Sequence, residues 1–243
     1  MLDRELDLIE HLEEMRKRLI IIGLQFLFFF FVAFIFVKDI YQFFILDLDY
    51  KLIILSPTDT LWIYFMLAAV VAITCSIPVI LMQIWLFVKP ALSEQERKMT
   101  LAYIPAIFGL FLVGISFGYF VVFPIVLQFL MTLSEDLFAM NFTTINYFRF
   151  MLHMTLPFGL LFEMPILILF LTALGIINPY RLKKVRKYAY FVLVIISVMI
   201  TPPDFISDIL VIIPLLLLYE FSIYLSQWVF RKKLNETMEL NLP

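Results

Sequence analysis

Long stretches with almost no charged side chain constrain this chain more than any other feature. Residues 19–37, 61–88 and 99–133 contain no Asp, Glu, Lys or Arg, and residues 150–174 and 209–230 contain one each, Glu163 and Glu220. A bilayer core of ~30 Å is crossed by about 20 helical residues rising 1.5 Å each, so these runs meet that length. A sixth run, 188–200, is charge-free but short and stops at Thr201-Pro202-Pro203-Asp204. Composition agrees: 63% of the residues are hydrophobic and 16% charged, against ~45–50% and about 25% in soluble domains. The sequence predicts an all-α polytopic membrane protein, a single transmembrane domain over 1–243. Its six spans are 19–37, 61–88, 99–133, 150–174, 188–200 and 209–230, preceded by an amphipathic helix over 1–18.

The loops set the expected orientation, because Lys and Arg accumulate on the cytoplasmic side. Fifteen of the 18 Lys and Arg fall in the N-terminal segment, the second and fourth loops and the tail. The first, third and fifth loops hold only Lys38, Lys51 and Arg149. Both termini are therefore expected in the cytoplasm. Spans 2 and 3 are too long to cross upright and must tilt, protrude or bend at Pro78, Pro105 or Pro124, whereas spans 5 and 6 are short. Such a mixture predicts a bent, concave wall. Spans 5 and 6 also admit a re-entrant hairpin, which charge parity does not distinguish; two short spans with local bilayer thinning is the reading adopted.

Several function classes drop out on composition. Six glycines, one cysteine and two histidines leave little for a phosphate loop, a disulfide framework or a metal cage, and a net charge of −2 argues against nucleic acid. No cofactor or metal is expected. The six acids among the first 18 residues do not read as a cleavable signal or a transit peptide, so a prokaryotic plasma (inner) membrane is the expected location. There is no P-loop and no H-E-x-x-H, and the intramembrane Ser and His residues lack catalytic partners, so the chain is not expected to be an enzyme.

In so apolar a chain the polar exceptions are informative. Leu2, Leu6, Ile9, Leu12 and Met15 recur at helical spacing among six acids. This segment is either a surface-lying anchor or an acidic platform for a cationic partner. Ser93 and Glu96 have the spacing of a capping box, while Glu96 can equally be an exposed carboxylate accepting a guanidinium. Glu163, between Pro157 and Pro165, must face a wet cavity, be protonated, or both. Glu220 can be satisfied locally by a Tyr or Ser, and His153 reads as interfacial. Gly114-xxx-Gly118 permits close helix packing but is a pattern frequent by chance. Two classes remain from the residues alone: a proton-coupled secondary transporter of a small solute using Glu163, and a receptor or scaffold presenting polar groups to a peptide.

Four segments together are more specific. His11-Leu12-Glu13-Glu14-Met15-Arg16-Lys17-Arg18-Leu19, Phe87 to Arg97, Phe162-Glu163-Met164-Pro165 and Thr201-Pro202-Pro203-Asp204 occur in an order and spacing that resembles the TatC family. That family is the large signal-peptide-receptor subunit of the twin-arginine protein translocase. The resemblance, over about residues 8–230, implies binding of twin-arginine signal peptides of folded precursors. It also implies export with single-span TatA- and TatB-like subunits using the proton-motive force, and self-association in the active complex. By motif position it implies that Glu14 and Glu96 receive the two arginines, with Phe87, Arg16, Leu92 and Ser93 shaping the patch. It further makes Glu163 the buried acid of a groove, and Thr201, Asp204 and Asp208 an external polar cluster where a single-span partner docks. Glu13 and Met15 stand where more apolar residues are expected, which leaves Glu13 able to share the role of Glu14. Asp208 stands where an uncharged polar residue is often found.

Overall fold

The computed structural model describes residues 2–46, 48, 52–88, 94–134, 143–173, 175–201 and 205–240, with backbone only for 2–11, 88, 94–104, 134 and 232–240. Backbone contacts divide the chain into two compact units, residues 1–105 with 141–149, and residues 106–140 with 150–243.

In the first unit α1 (Leu2–Ile35) packs along α3 (Pro57–Val88), with the short α2 (Val37–Ile45) against α3. Three phenylalanines at i, i+4, i+8, Phe26, Phe30 and Phe34, make one stripe on α1. Phe65 of α3 stacks on the last two, with ring centroids 6.1 and 5.3 Å away. The other faces of α1 are apolar and exposed, Phe28 and Phe31 at 63% each, as a lipid-facing helix requires. The Ser56-Pro57-Thr58-Asp59 turn starts α3: Ser56 N–H donates to Asp59 Oδ2 at 3.1 Å, and Pro57 occupies the first helical position, where its missing N–H costs nothing. A parallel bridge joins Ile53 to Thr143, with Thr144 N–H donating to Ile53 O at 2.9 Å.

In the second unit the residues of α4 (Glu94–Phe117) from 106 onward continue through a π turn (Gly118–Val122) into α5 (Phe123–Ser134). The π turn lies just before Pro124, whose ring would clash with the carbonyl four residues earlier; the wider turn relieves that clash. Part of α6 (Thr144–Leu161) packs on this element at glycines: a Cβ on Gly114 or Gly118 would meet the backbone of Phe158 or Thr155, and one on Gly159 would meet Phe111. The Gly114-xxx-Gly118 pattern is thus a working contact. Pro165 lacks the N–H that would continue the ladder, so α6 stops at Leu161, residues 162–163 form a turn, and α7 (Met164–Ala173) resumes the path. Gly175, at φ 76°, closes α7 in a Schellman arrangement: Ile176 N–H reaches Leu171 O and Gly175 N–H reaches Thr172 O, both at 3.0 Å.

After α8 (Pro179–Lys184), α9 (Arg186–Ile200) and α10 (Phe205–Leu240) form an antiparallel pair, with Tyr190 bonded to Glu220 at one end and Thr201 to Asp208 at the other. Val122, Val126, Phe158, Ile168, Leu193, Val211 and Leu215 form the core of this unit.

Among the described residues five segments are long and apolar enough to span a bilayer: Leu12–Ile35, Pro57–Phe87, Pro105–Leu133, Thr144–Ala173 and Phe205–Arg231. The 15 residues of α9 reach only about 22 Å at 1.5 Å each, and α9 is not one of these five segments. Against the short sixth span expected, α10 runs 36 residues. No Gly or Pro interrupts the chain between Pro214 and Pro243, so the helix continues past the apolar run that bounded the expected span.

Candidate functional site

In the first unit the polar positions converge on the seam between α1 and α3. Glu14 and Arg18, one helical turn apart, form an ion pair through Glu14 Oε1 and Arg18 Nη2. The other Arg18 nitrogen, Nη1, lies 3.4 Å from Gln83 Oε1 and 3.5 Å from Gln83 O on α3. Arg18 therefore ties the acidic helix to α3, its side chain only 18% exposed against 37% for Glu14. Beside it lies a cavity of about 120 Å³ lined by Met15, Arg18, Leu19, Ile22, Gln83, Ile84 and Phe87. One oxygen of Glu14 is thus held toward Arg18, next to an apolar hollow ending at Phe87. Glu13 is exposed, so Glu14 is the carboxylate that meets the seam.

Of the predicted recognition residues, Glu14 and Phe87 are brought into this neighbourhood, and Arg16 points outward, exposed. Leu92 and Ser93 lie outside the described residues. Glu96 is the third residue of α4, the position a capping box requires, and its side chain lies outside the description, so both readings of it stand as sequence expectations. Sequence reasoning missed Arg18 and Gln83. The i,i+4 spacing of Glu14 and Arg18 was a usable signal, whereas nothing local marks Gln83, sixty-five residues away.

In the second unit Glu163 sits in the turn between α6 and α7. Both its carboxylate oxygens are shielded from solvent and lack a hydrogen-bond partner among the described residues. That makes it a polar group held at a helix break in an apolar wall, an arrangement that costs several kcal/mol unless water or a ligand group completes it. Thr201 is buried and donates its hydroxyl to the Asp208 carboxylate, with Ser197 O 3.0 Å from the same oxygen. Ser197 Oγ in turn donates to Asp208 O at 3.3 Å. Thr201, Ser197 and Asp208 therefore meet, and Asp204 lies outside the described residues. Glu220 is satisfied locally: Arg186 Nη2 reaches Oε2 at 2.6 Å and Tyr190 donates to Oε1 at 2.5 Å. His153 is exposed, its Nε2 3.4 Å from Met199 O. Among the described residues no three His, Cys, Asp or Glu side chains cluster as metal ligands.

These features define an all-helical, polytopic membrane protein whose polar groups are distributed at helix seams and breaks. Residues 10–214 match the family model described as TatC, Sec-independent protein translocase protein. The chain is 57% identical over 233 residues to Sec-independent protein translocase protein TatCd of Bacillus subtilis (strain 168), covering 96% of each chain. It is 43% identical to TatC of Halalkalibacterium halodurans, covering 95% of this chain and 92% of that protein. A solved structure, the crystal structure of the twin arginine translocase receptor TatC, is similar at a TM-score of 0.78 and 36% identity, with 90% of this chain and 99% of that chain covered. The chain belongs to the TatC family. It is therefore a membrane component of protein translocation.

Proposed function

We propose that this chain is the receptor and core subunit of a twin-arginine translocase, binding the twin-arginine signal peptides of folded precursors and exporting them with TatA- and TatB-like single-span subunits on the proton-motive force. The observation that carries the binding step is the Glu14 carboxylate, held at the α1–α3 seam by Arg18, which itself reaches Gln83, beside the Phe87 cavity. A guanidinium can pair with such a carboxylate in a planar, charge-assisted geometry that an ammonium does not reproduce. Because Arg18 already shares that charge, an incoming arginine partly displaces it. This favours a modest, reversible contact, and Glu96 at the start of α4 supplies the second carboxylate. In this reading the seam and both termini face the cytoplasm of a prokaryotic plasma membrane, which the distribution of Lys and Arg among the loops supports.

The same reading makes 1–243 one transmembrane domain of six spans, with α9 as the fifth. Arg16, Leu92 and Ser93 border the patch. Glu163 serves transport after binding, and Thr201, Asp204 and Asp208 form the surface where a single-span subunit docks. The active complex contains more than one copy. The test is equilibrium binding of a fluorescent twin-arginine peptide to the purified chain in nanodiscs. Replacing both peptide arginines by lysine should weaken binding at least tenfold, and equal affinity refutes the assignment.

A further inference from the structure

A larger hollow lies in the first unit, at the opposite end of the α1–α3 seam from Glu14. It is an open hollow of about 780 Å³, lined by Phe30, Trp62, Phe65, Met66 and Ala69, with Thr58, Asp59, Ile145 and Arg149. That volume falls within the range of small-ligand pockets, ~300–1,000 Å³. Its composition is graded. Asp59 is in the first turn of α3, and Arg149 is the sixth residue of α6. From Asp59 to Ala69 the lining follows α3 for ten residues, roughly 15 Å or half a bilayer core. Trp62, 66% exposed, stands at the polar end, the depth at which tryptophan is enriched in membrane proteins.

The two charges at the mouth do not satisfy each other. Arg149 is exposed and forms no ion pair among the described residues, and Asp59 is fixed by the Ser56 N–H, which takes its Oδ2 oxygen. An exposed cation and an anchored anion at headgroup depth, above an aromatic trough reaching into the hydrocarbon, match a ligand that is zwitterionic at one end and apolar along its length. A purely anionic headgroup can pair its phosphate with Arg149 but leaves the Asp59 carboxylate unpaired and repelling it. An ammonium carrying N–H donors offsets that repulsion and forms charge-assisted bonds to the carboxylate.

We propose that this hollow is a binding site for one phosphatidylethanolamine molecule, its phosphate on Arg149, its ammonium on Asp59, and an acyl chain along Trp62, Phe65 and Phe30. The site is separate from the α1–α3 recognition seam at Glu14 and does not depend on its assignment.

The test uses the full chain in nanodiscs of mixed lipids, with native mass spectrometry counting the lipids retained on the released protein. Quenching of tryptophan fluorescence by acyl-brominated lipids, compared between wild type and Trp62→Phe, locates the bound chain. Phosphatidylethanolamine should be retained at least tenfold over phosphatidylcholine and phosphatidylglycerol. Arg149→Gln and Asp59→Asn should each abolish that preference. Asp59→Asn keeps an oxygen for the Ser56 N–H, so an unchanged melting temperature verifies that the fold is intact. Soluble phosphoethanolamine at millimolar concentration should not displace the lipid, because it lacks the chain that fills the trough. Equal retention of all three lipids, a preference for phosphatidylglycerol, or a preference surviving Arg149→Gln would each overturn the proposal.

Discussion

Two chemically identical substitutions in one helix should have opposite effects. A Cβ added at Gly114 would lie 2.5 Å from Phe158 O, 2.8 Å from Phe162 Cβ and 2.9 Å from Gly159 Cα. All three are backbone or Cβ atoms, which cannot swing aside as a side-chain tip can. Restoring ordinary contact near 3.4 Å requires α4 and α6 to separate by about 1 Å, and overpacking of this kind costs ~1–3 kcal/mol. Gly109 lies five residues earlier, and a Cβ there meets nothing within 4 Å. Gly109→Ala should be neutral or stabilising by up to about 1 kcal/mol through helix propensity. The two variants should therefore differ by roughly 1–4 kcal/mol. Reversible unfolding by SDS titration in mixed micelles, read by far-UV circular dichroism, measures that difference. If Gly114→Ala is as stable as Gly109→Ala, the helices are not held in contact by their glycines and the packing described for the second unit is wrong.

Three further outcomes are expected. Tyr190→Phe removes the 2.5 Å bond to Glu220; because that carboxylate is 37% exposed, the loss should be only about 1 kcal/mol, visible as a small drop in melting temperature, and a drop as large as a core truncation would show a more deeply buried network. Glu163→Leu should leave twin-arginine peptide affinity within twofold while impairing export of a folded reporter, and loss of both would place Glu163 in recognition. Asp208→Asn keeps an acceptor for Thr201 and should preserve cross-linking of a single-span subunit at α9–α10, whereas Asp208→Leu should abolish it; equal cross-linking by both variants removes Asp208 from the docking surface.

Much of the fold was legible because lipid imposes a coarse rule. A backbone in hydrocarbon must satisfy its own hydrogen bonds, so a long charge-free run has to be a helix, and its length bounds where the helix runs. Hence α1, α3, α6 with α7, and α9 follow the apolar runs. Local satisfaction of Glu220 follows from the shortage of alternatives for a carboxylate in a span. The far end of α10 was less legible, because hydropathy marks where a membrane ends and a helix need not stop there.

Contacts between segments distant in sequence were decided only by tertiary structure. Gly114-xxx-Gly118 reads the same whether or not another helix lies on it, and the close approach of Phe158 and Thr155 turns a common pattern into a seam. Glu14 was singled out by position, but Gln83 and the shared ion pair with Arg18 determine that its charge is already partly spoken for. The hollow with Asp59 and Arg149 at its mouth has no signature along the chain, since its lining comes from three helices. Sequence by itself determined that this protein lives in a membrane as a set of helices, because hydrophobicity and backbone hydrogen bonding act residue by residue. Tertiary structure decided which of its few polar groups have partners, because a partner is a matter of distance in space.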